Sequence, residues 1–147
     1  MESGAAKRER PRVGQRAERT RRVEPEYIRL FTEISGDRNP LHYDEALAAA
    51  TPFGGIVVQG GVSTAVLNAL VAEDLPGPGT VFLQLDLRFR APVRPGDVIT
   101  GAAEVTSARG DKPITGLAVT VTRDDGVVAV EGTALCYTFA TVRAGDR

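Results

Sequence analysis

Apolar side chains fall on every second position from Val81 to Phe89: Val81, Leu83, Leu85, Leu87 and Phe89, with Phe82, Gln84, Asp86 and Arg88 between them. A period of two sustained over this length predicts a strand with one buried face. The turn cluster Pro76-Gly77-Pro78-Gly79 precedes it, and Pro92, Pro95 and Gly96 end it. Residues 98–105, 114–123 and 127–139 read as three more strands, the last two joined at a hairpin-like turn, Asp124-Asp125-Gly126. The charged run from Arg16 to Arg22 is also predicted to be extended, and its charge suits the edge of a sheet.

The first half of the chain keeps a different period. Tyr27, Ile28, Leu30, Phe31 and Ile34 share a helical spacing just after Pro25, whose missing donor suits a helix start. That helix must end by Gly36. Asp44 is placed to cap a short helix running to Ala50, which Thr51-Pro52-Phe53-Gly54-Gly55 breaks. Between Val62 and Ala72 the only polar side chains are Ser63, Thr64 and Asn68, so the segment from Val62 to Asp74 predicts a long helix apolar on nearly every side. Such a helix must be enclosed on nearly every side, and it is too short to be a membrane span. A sheet wrapped around it is the natural enclosure. Early helices and a late run of antiparallel strands argue for an α+β fold.

Length and charge narrow the picture. A chain of 147 residues predicts one domain, expected over residues 13–140. A polar, basic arm over residues 1–12 is predicted to be disordered, and residues 141–147 form a C-terminal tail. With 18 basic and 19 acidic residues the net charge is −1, so no global field favours nucleic acid or a membrane surface. Residues 1–22 carry eight Lys or Arg against three Glu, net +5, which leaves −6 on the rest. The one cysteine, Cys136, sits between Leu135 and Tyr137 in a predicted strand, where packing accounts for it. A single cysteine excludes an intrachain disulfide and fits a reducing compartment. No apolar run is long enough to span a bilayer and the N-terminus has no signal-peptide core, so a cytoplasmic protein is expected.

The candidate chemistry lies in Ile34-Ser35-Gly36-Asp37-Arg38-Asn39-Pro40-Leu41-His42, which holds the only histidine. Gly36 and the Asn39-Pro40 step predict an irregular loop, because the residue before proline is pushed out of the helical region. Such a loop can aim Asp37 and His42 at one point, which a straight helix would not do at a spacing of five. An acid and an imidazole converging on one water can move protons at neutral pH. A lone Asp in such a loop is more often a turn residue, and a lone His more often a structural hydrogen-bond partner. Gly60-Gly61 opens the apolar helix, where backbone N–H groups carry partial positive charge. No Gly-Lys-Ser/Thr follows them, so this is not a phosphate loop. One His and one Cys cannot supply the usual zinc ligand sets, and no nucleophile elbow or dinucleotide fingerprint is present. The expected chemistry runs without metal or redox cofactor.

Tyr27-Ile28-Arg29-Leu30-Phe31, Ser35 to His42 and Asp44 together resemble the signature of the MaoC-like (R)-specific enoyl-CoA hydratases, a family of the hot-dog fold. Val13-Gly14-Gln15, Gly60 before an apolar helix, Phe89-Arg90-Ala91-Pro92-Val93, Gly96-Asp97 and Asp111-Lys112-Pro113-Ile114 resemble members in the same order. The resemblance implies an antiparallel sheet around a central helix, and reversible hydration of trans-2-enoyl thioesters to (R)-3-hydroxyacyl thioesters. It implies Asp37 and His42 as the catalytic pair, with Asn39 locking their loop. It implies Gly60, followed by Gly61, as the donor to the thioester oxygen. Relatives often carry His where this chain has Gln59, which can hydrogen-bond but not carry a proton. Asn68 falls where a relative has a small polar residue contacting the catalytic Asp. An acyl-CoA or acyl carrier protein thioester is the implied substrate and a homodimer the implied assembly. Two rivals stay open: an acyl-CoA thioesterase on the same fold, and a non-catalytic acyl-thioester binding subunit.

Overall fold

The computed structural model describes residues 10–140. Residues 1–9 of the expected arm, and the tail expected over 141–147, lie outside this range. Five strands form one antiparallel sheet: β1 (Arg16–Arg22), β2 (Thr80–Phe89), β3 (Val98–Ala108), β4 (Ile114–Arg123) and β5 (Val128–Thr138), in the order β1-β3-β4-β5-β2. Every strand expected from the sequence is present. The β4–β5 turn closes as a hairpin, with Gly126 at a φ of 85° and its N–H on the Arg123 carbonyl.

Helix α1 (Tyr27–Ser35) ends where Gly36 takes a φ of 79° and donates its N–H to the Thr32 carbonyl at 2.7 Å. Positive φ costs glycine nothing, so the chain leaves the helix there in a fixed direction. A short 3₁₀ turn (Pro40–His42) follows, and then α2 (Glu45–Ala49), capped by Asp44 accepting the Leu47 N–H at 3.0 Å. Helix α3 (Gly60–Ala69) packs on β1, β3, β4 and β5 and continues into a π-helical turn, Leu70–Asp74. Its inner residues Val62, Val66, Leu67, Leu70 and Val71 meet Ile99, Ala103, Leu117, Val119, Val121 and Val130 of the sheet. Helix and sheet approach closely at Gly101, where a Cβ would stand 3.0 Å from Val66.

Two expectations change here. The long central helix is a ten-residue α-helix plus one π turn, and it is not enclosed on every side. Ala65 and Asn68 are exposed on the side turned away from the sheet. The alternation in β2 does not mark one buried face either. The β2–β5 register shifts between Phe82 and Gln84, a bulge that leaves Leu83 without a partner in the ladder. Phe82 stands opposite buried Cys136, and beyond the bulge Leu85, Leu87 and Phe89 stand opposite Ala134, Gly132 and Val130. Val81 is therefore on the opposite face from Leu85. Leu85 and Phe89 stay exposed on the inner face, where α3 comes close only with its first residue, Gly60, beside Phe89.

Candidate active site

The acid and the imidazole predicted to converge do so. His42 Nε2 lies 3.7 Å from Asp37 Oδ2, with the imidazole nearly buried at 9% exposure and the carboxylate open at 39%. The other atom of each group is tied down. His42 Nδ1 is 2.6 Å from the Val57 carbonyl, which can only accept, so Nδ1 carries the proton and Nε2 presents a lone pair in the neutral ring. Asp37 Oδ1 accepts the Asn39 N–H at 3.0 Å, leaving Oδ2 free. Asn39 Oδ1 accepts the Leu41 N–H at 3.1 Å and caps the 3₁₀ turn that delivers His42. A water between Nε2 and Oδ2 could touch both.

The same segment links this pair to α3. Val57, whose carbonyl holds His42, stands three residues before Gly60, and the Val58 N–H is fixed on the Val93 carbonyl at 2.9 Å. The N–H groups of Val62 and Ser63 turn back to the Gln59 carbonyl. Those of Gly60 and Gly61 have no hydrogen-bond partner among the described residues. Neither glycine has a positive φ, so both are needed for space rather than conformation. A Cβ on Gly61 would stand 2.0 Å from Phe31 Cζ, and one on Gly60 3.0 Å from Phe89 Cε1.

Gln59 is 1% exposed. Its Nε2 donates to the Ile28 carbonyl at 2.9 Å and to Thr32 Oγ1 at 3.3 Å, joining the first turn of α3 to α1. Its Oε1 is buried with no partner among the described residues, which costs about 1–3 kcal/mol. Thr32 Oγ1 also meets the Ile28 carbonyl at 3.0 Å, the Asp37 carbonyl at 2.8 Å and, closely, the Tyr43 hydroxyl. Asn68 does not join the site: it is exposed, two turns along α3 from Gly60, and its side chain makes no hydrogen bond among the described residues. An apolar helix made it look buried, but its side of the helix is the uncovered one.

Sequence reasoning missed Thr32, Tyr43 and Phe31. Thr32 left a signal, since it sits four residues from Ile28 at the centre of the apolar stripe of α1. Those two are the buried residues of α1, while Leu30 and Ile34 face outward. Leu30 and Ile34 line a groove of about 370 Å³ between α1, α3 and β1, together with Phe31, Ala65 and Ala69. Cys136 packs in the core, and burial pushes its thiol up to about 11, which suits an inert side chain.

Residues 7–127 match the family model described as the MaoC like domain. The chain is 38% identical to the (R)-specific enoyl-CoA hydratase of Aeromonas caviae, over 84% of this chain and 92% of the relative. It is 42% identical to the 3-hydroxybutyryl-CoA dehydratase of Methylorubrum extorquens, over 71% of this chain and 66% of that protein. The solved structure of the (R)-hydratase from A. caviae superposes with a TM-score of 0.82 at 37% identity, covering 87% of this chain and 97% of that one.

Proposed function

Because the chain belongs to the MaoC-like domain family, we propose that it adds water reversibly across trans-2-enoyl thioesters to give (R)-3-hydroxyacyl thioesters. It is a hydro-lyase on the hot-dog fold. The observation that carries the mechanism is the pair of free atoms, Asp37 Oδ2 and His42 Nε2, facing each other at 3.7 Å. A water held by both lies on one face of the bound enoyl group. As its oxygen bonds to C3, the pair takes one proton from it and passes that same proton to C2 on the same face, a syn addition. Charge that develops on the thioester oxygen is met by the free N–H groups of Gly60 and Gly61, a contact worth roughly 3–4 kcal/mol in comparable oxyanion sites. Proton transfer and backbone donors suffice for this step, so the reading calls on no metal or redox cofactor.

The carrier is a CoA thioester, and the working unit a cytoplasmic homodimer. Two edges support the dimer. β1 is charged, as protected edges are, whereas β2 leaves Val81, Leu83, Leu85 and Phe89 exposed. None of the helices of the described residues is long and apolar enough to cross a membrane.

Incubation with crotonyl-CoA tests the reading. Hydration consumes the enoyl absorbance without releasing thiol. Release of free CoA would make the protein a thioesterase, and binding without either change a non-catalytic subunit. Light scattering on the same sample tests the dimer, and a monomer at micromolar concentration would refute it.

A further inference from the structure

We infer that Thr32 is a positioning residue for the Asp37–His42 pair, its hydroxyl closing the base of the loop that carries them; the inference deepens the hydratase reading and rests on it. The loop leaves α1 at Gly36 and ends at Tyr43, the residue after His42. Thr32 reaches both ends. Its oxygen lies 2.8 Å from the Asp37 carbonyl and in close contact with the Tyr43 hydroxyl.

Proton counting fixes the direction of each bond. A threonine hydroxyl has one proton to give and two lone pairs. Gln59 Nε2 is a donor only, so it takes one lone pair. The Ile28 carbonyl already receives Gln59 Nε2, whereas no other donor reaches the Asp37 carbonyl among the described residues. The threonine proton therefore goes to Asp37, and the Tyr43 O–H donates to the second lone pair. Thr32 is buried at 4% exposure, so water does not substitute for these partners. Gln59, the residue before Gly60, holds the hydroxyl from behind and also places the first turn of α3. One oxygen thus sets the backbone of the acid, the residue after the base and, through Gln59, the start of the donor helix.

The test compares Thr32→Val with Thr32→Ser in crotonyl-CoA hydration, with folding checked by circular dichroism. Valine keeps the shape and removes the hydroxyl. We expect kcat to fall about 10–100-fold at a nearly unchanged KM, the scale on which misplacing a reacting group by about 1 Å acts. Serine keeps the hydroxyl and loses the methyl, so it should restore kcat to within about threefold of wild type, which a packing role would not allow. Should Thr32→Val not fold, Tyr43→Phe removes one donor at a half-exposed site and should lower kcat several-fold with KM unchanged. Wild-type kcat in whichever variant folds overturns the inference, as does a serine variant no better than valine. A wild-type protein that hydrates nothing would instead overturn the hydratase reading. The imidazole resonances of His42, the only histidine, then decide the inference: they should move in Thr32→Val and return in Thr32→Ser, and unmoved resonances refute it.

Discussion

At its N-terminal end α3 begins with two glycines whose N–H groups have no partner among the described residues and whose missing side chains make room for Phe31 and Phe89. At the other end Leu70 and Val71 are 0% and 2% exposed, and the carbonyl of Leu70 accepts the Leu75 N–H as the helix widens into its π turn. One end is stripped of side chains so that backbone can meet a ligand. The other is filled so that the helix cannot shift. A donor aimed at a reacting atom is useful only if its helix is immobile, so the packed end serves the bare end at a distance of about 15 Å for ten residues of α-helix.

Substitutions at the two ends should therefore fail in different ways. The largest loss is expected beside the bare end, where Val57 holds His42. Asp37→Asn and His42→Ala should each lower hydration of crotonyl-CoA about 10²–10⁴-fold with the fold intact by circular dichroism. The double variant should cost little more than either single one, because the groups act as a unit. Wild-type turnover in either single variant would remove the pair from the mechanism.

Next comes Gly60→Val, which crowds Phe89 and pushes the thioester oxygen from its donor. Turnover should fall about 100-fold or more if that contact is lost. A normal rate would mean that the carbonyl is held elsewhere. At the packed end, Leu70→Ala should cost about 2–5 kcal/mol of stability by urea unfolding, while the folded protein keeps its turnover number. If turnover falls in step with stability, the two ends are not separable and the comparison breaks.

The smallest effect concerns the surface pin at the end of the π turn. Arg19 donates to Asp74 at 2.8 and 3.1 Å, and this pairing holds the Asp74 carboxyl below the usual carboxylate range. A folded-state pKa below the unfolded one gives stability that is present above the ordinary carboxylate value and lost as pH falls through the lowered one. Arg19→Met should therefore lower the melting temperature slightly at pH 7 and not at all in strong acid. Because the pair is exposed, salt should shrink the difference. A loss that persists in acid would assign the effect to packing of the arginine stem.

The elements that repeat a period were legible in the sequence, and so was the Asp37–His42 loop, because Gly36 and Pro40 constrain backbone whatever surrounds them. Burial was not legible in the same way. Asn68 sits among apolar neighbours on α3 and Leu85 in an alternating apolar run, yet both end exposed, Asn68 on the side of α3 away from the sheet and Leu85 on the edge strand β2. Thr32 went the other way. Its hydroxyl looks like an interruption of an apolar stripe, and only the arrival of Gln59 from another element makes it a junction. Period reports on one element, whereas burial and hydrogen bonding report on two.

The bulge at Leu83 makes β2 sensitive to phase. Ahead of it the run Val81-Phe82-Leu83 is apolar at every position, so either parity would satisfy the inner face there. Beyond it, Leu85, Leu87 and Phe89 face inward only because one residue of the strand is left out of the ladder. A single-residue deletion upstream of Leu85 could be absorbed by erasing the bulge. The same deletion downstream would rotate Phe89 to the outer face and bring Arg90 against Gly60. The length of this strand, counted from Leu85, is thus a ruler for the site: single-residue deletions before that point should be nearly silent in a library selected for turnover, and single-residue deletions after it should be absent.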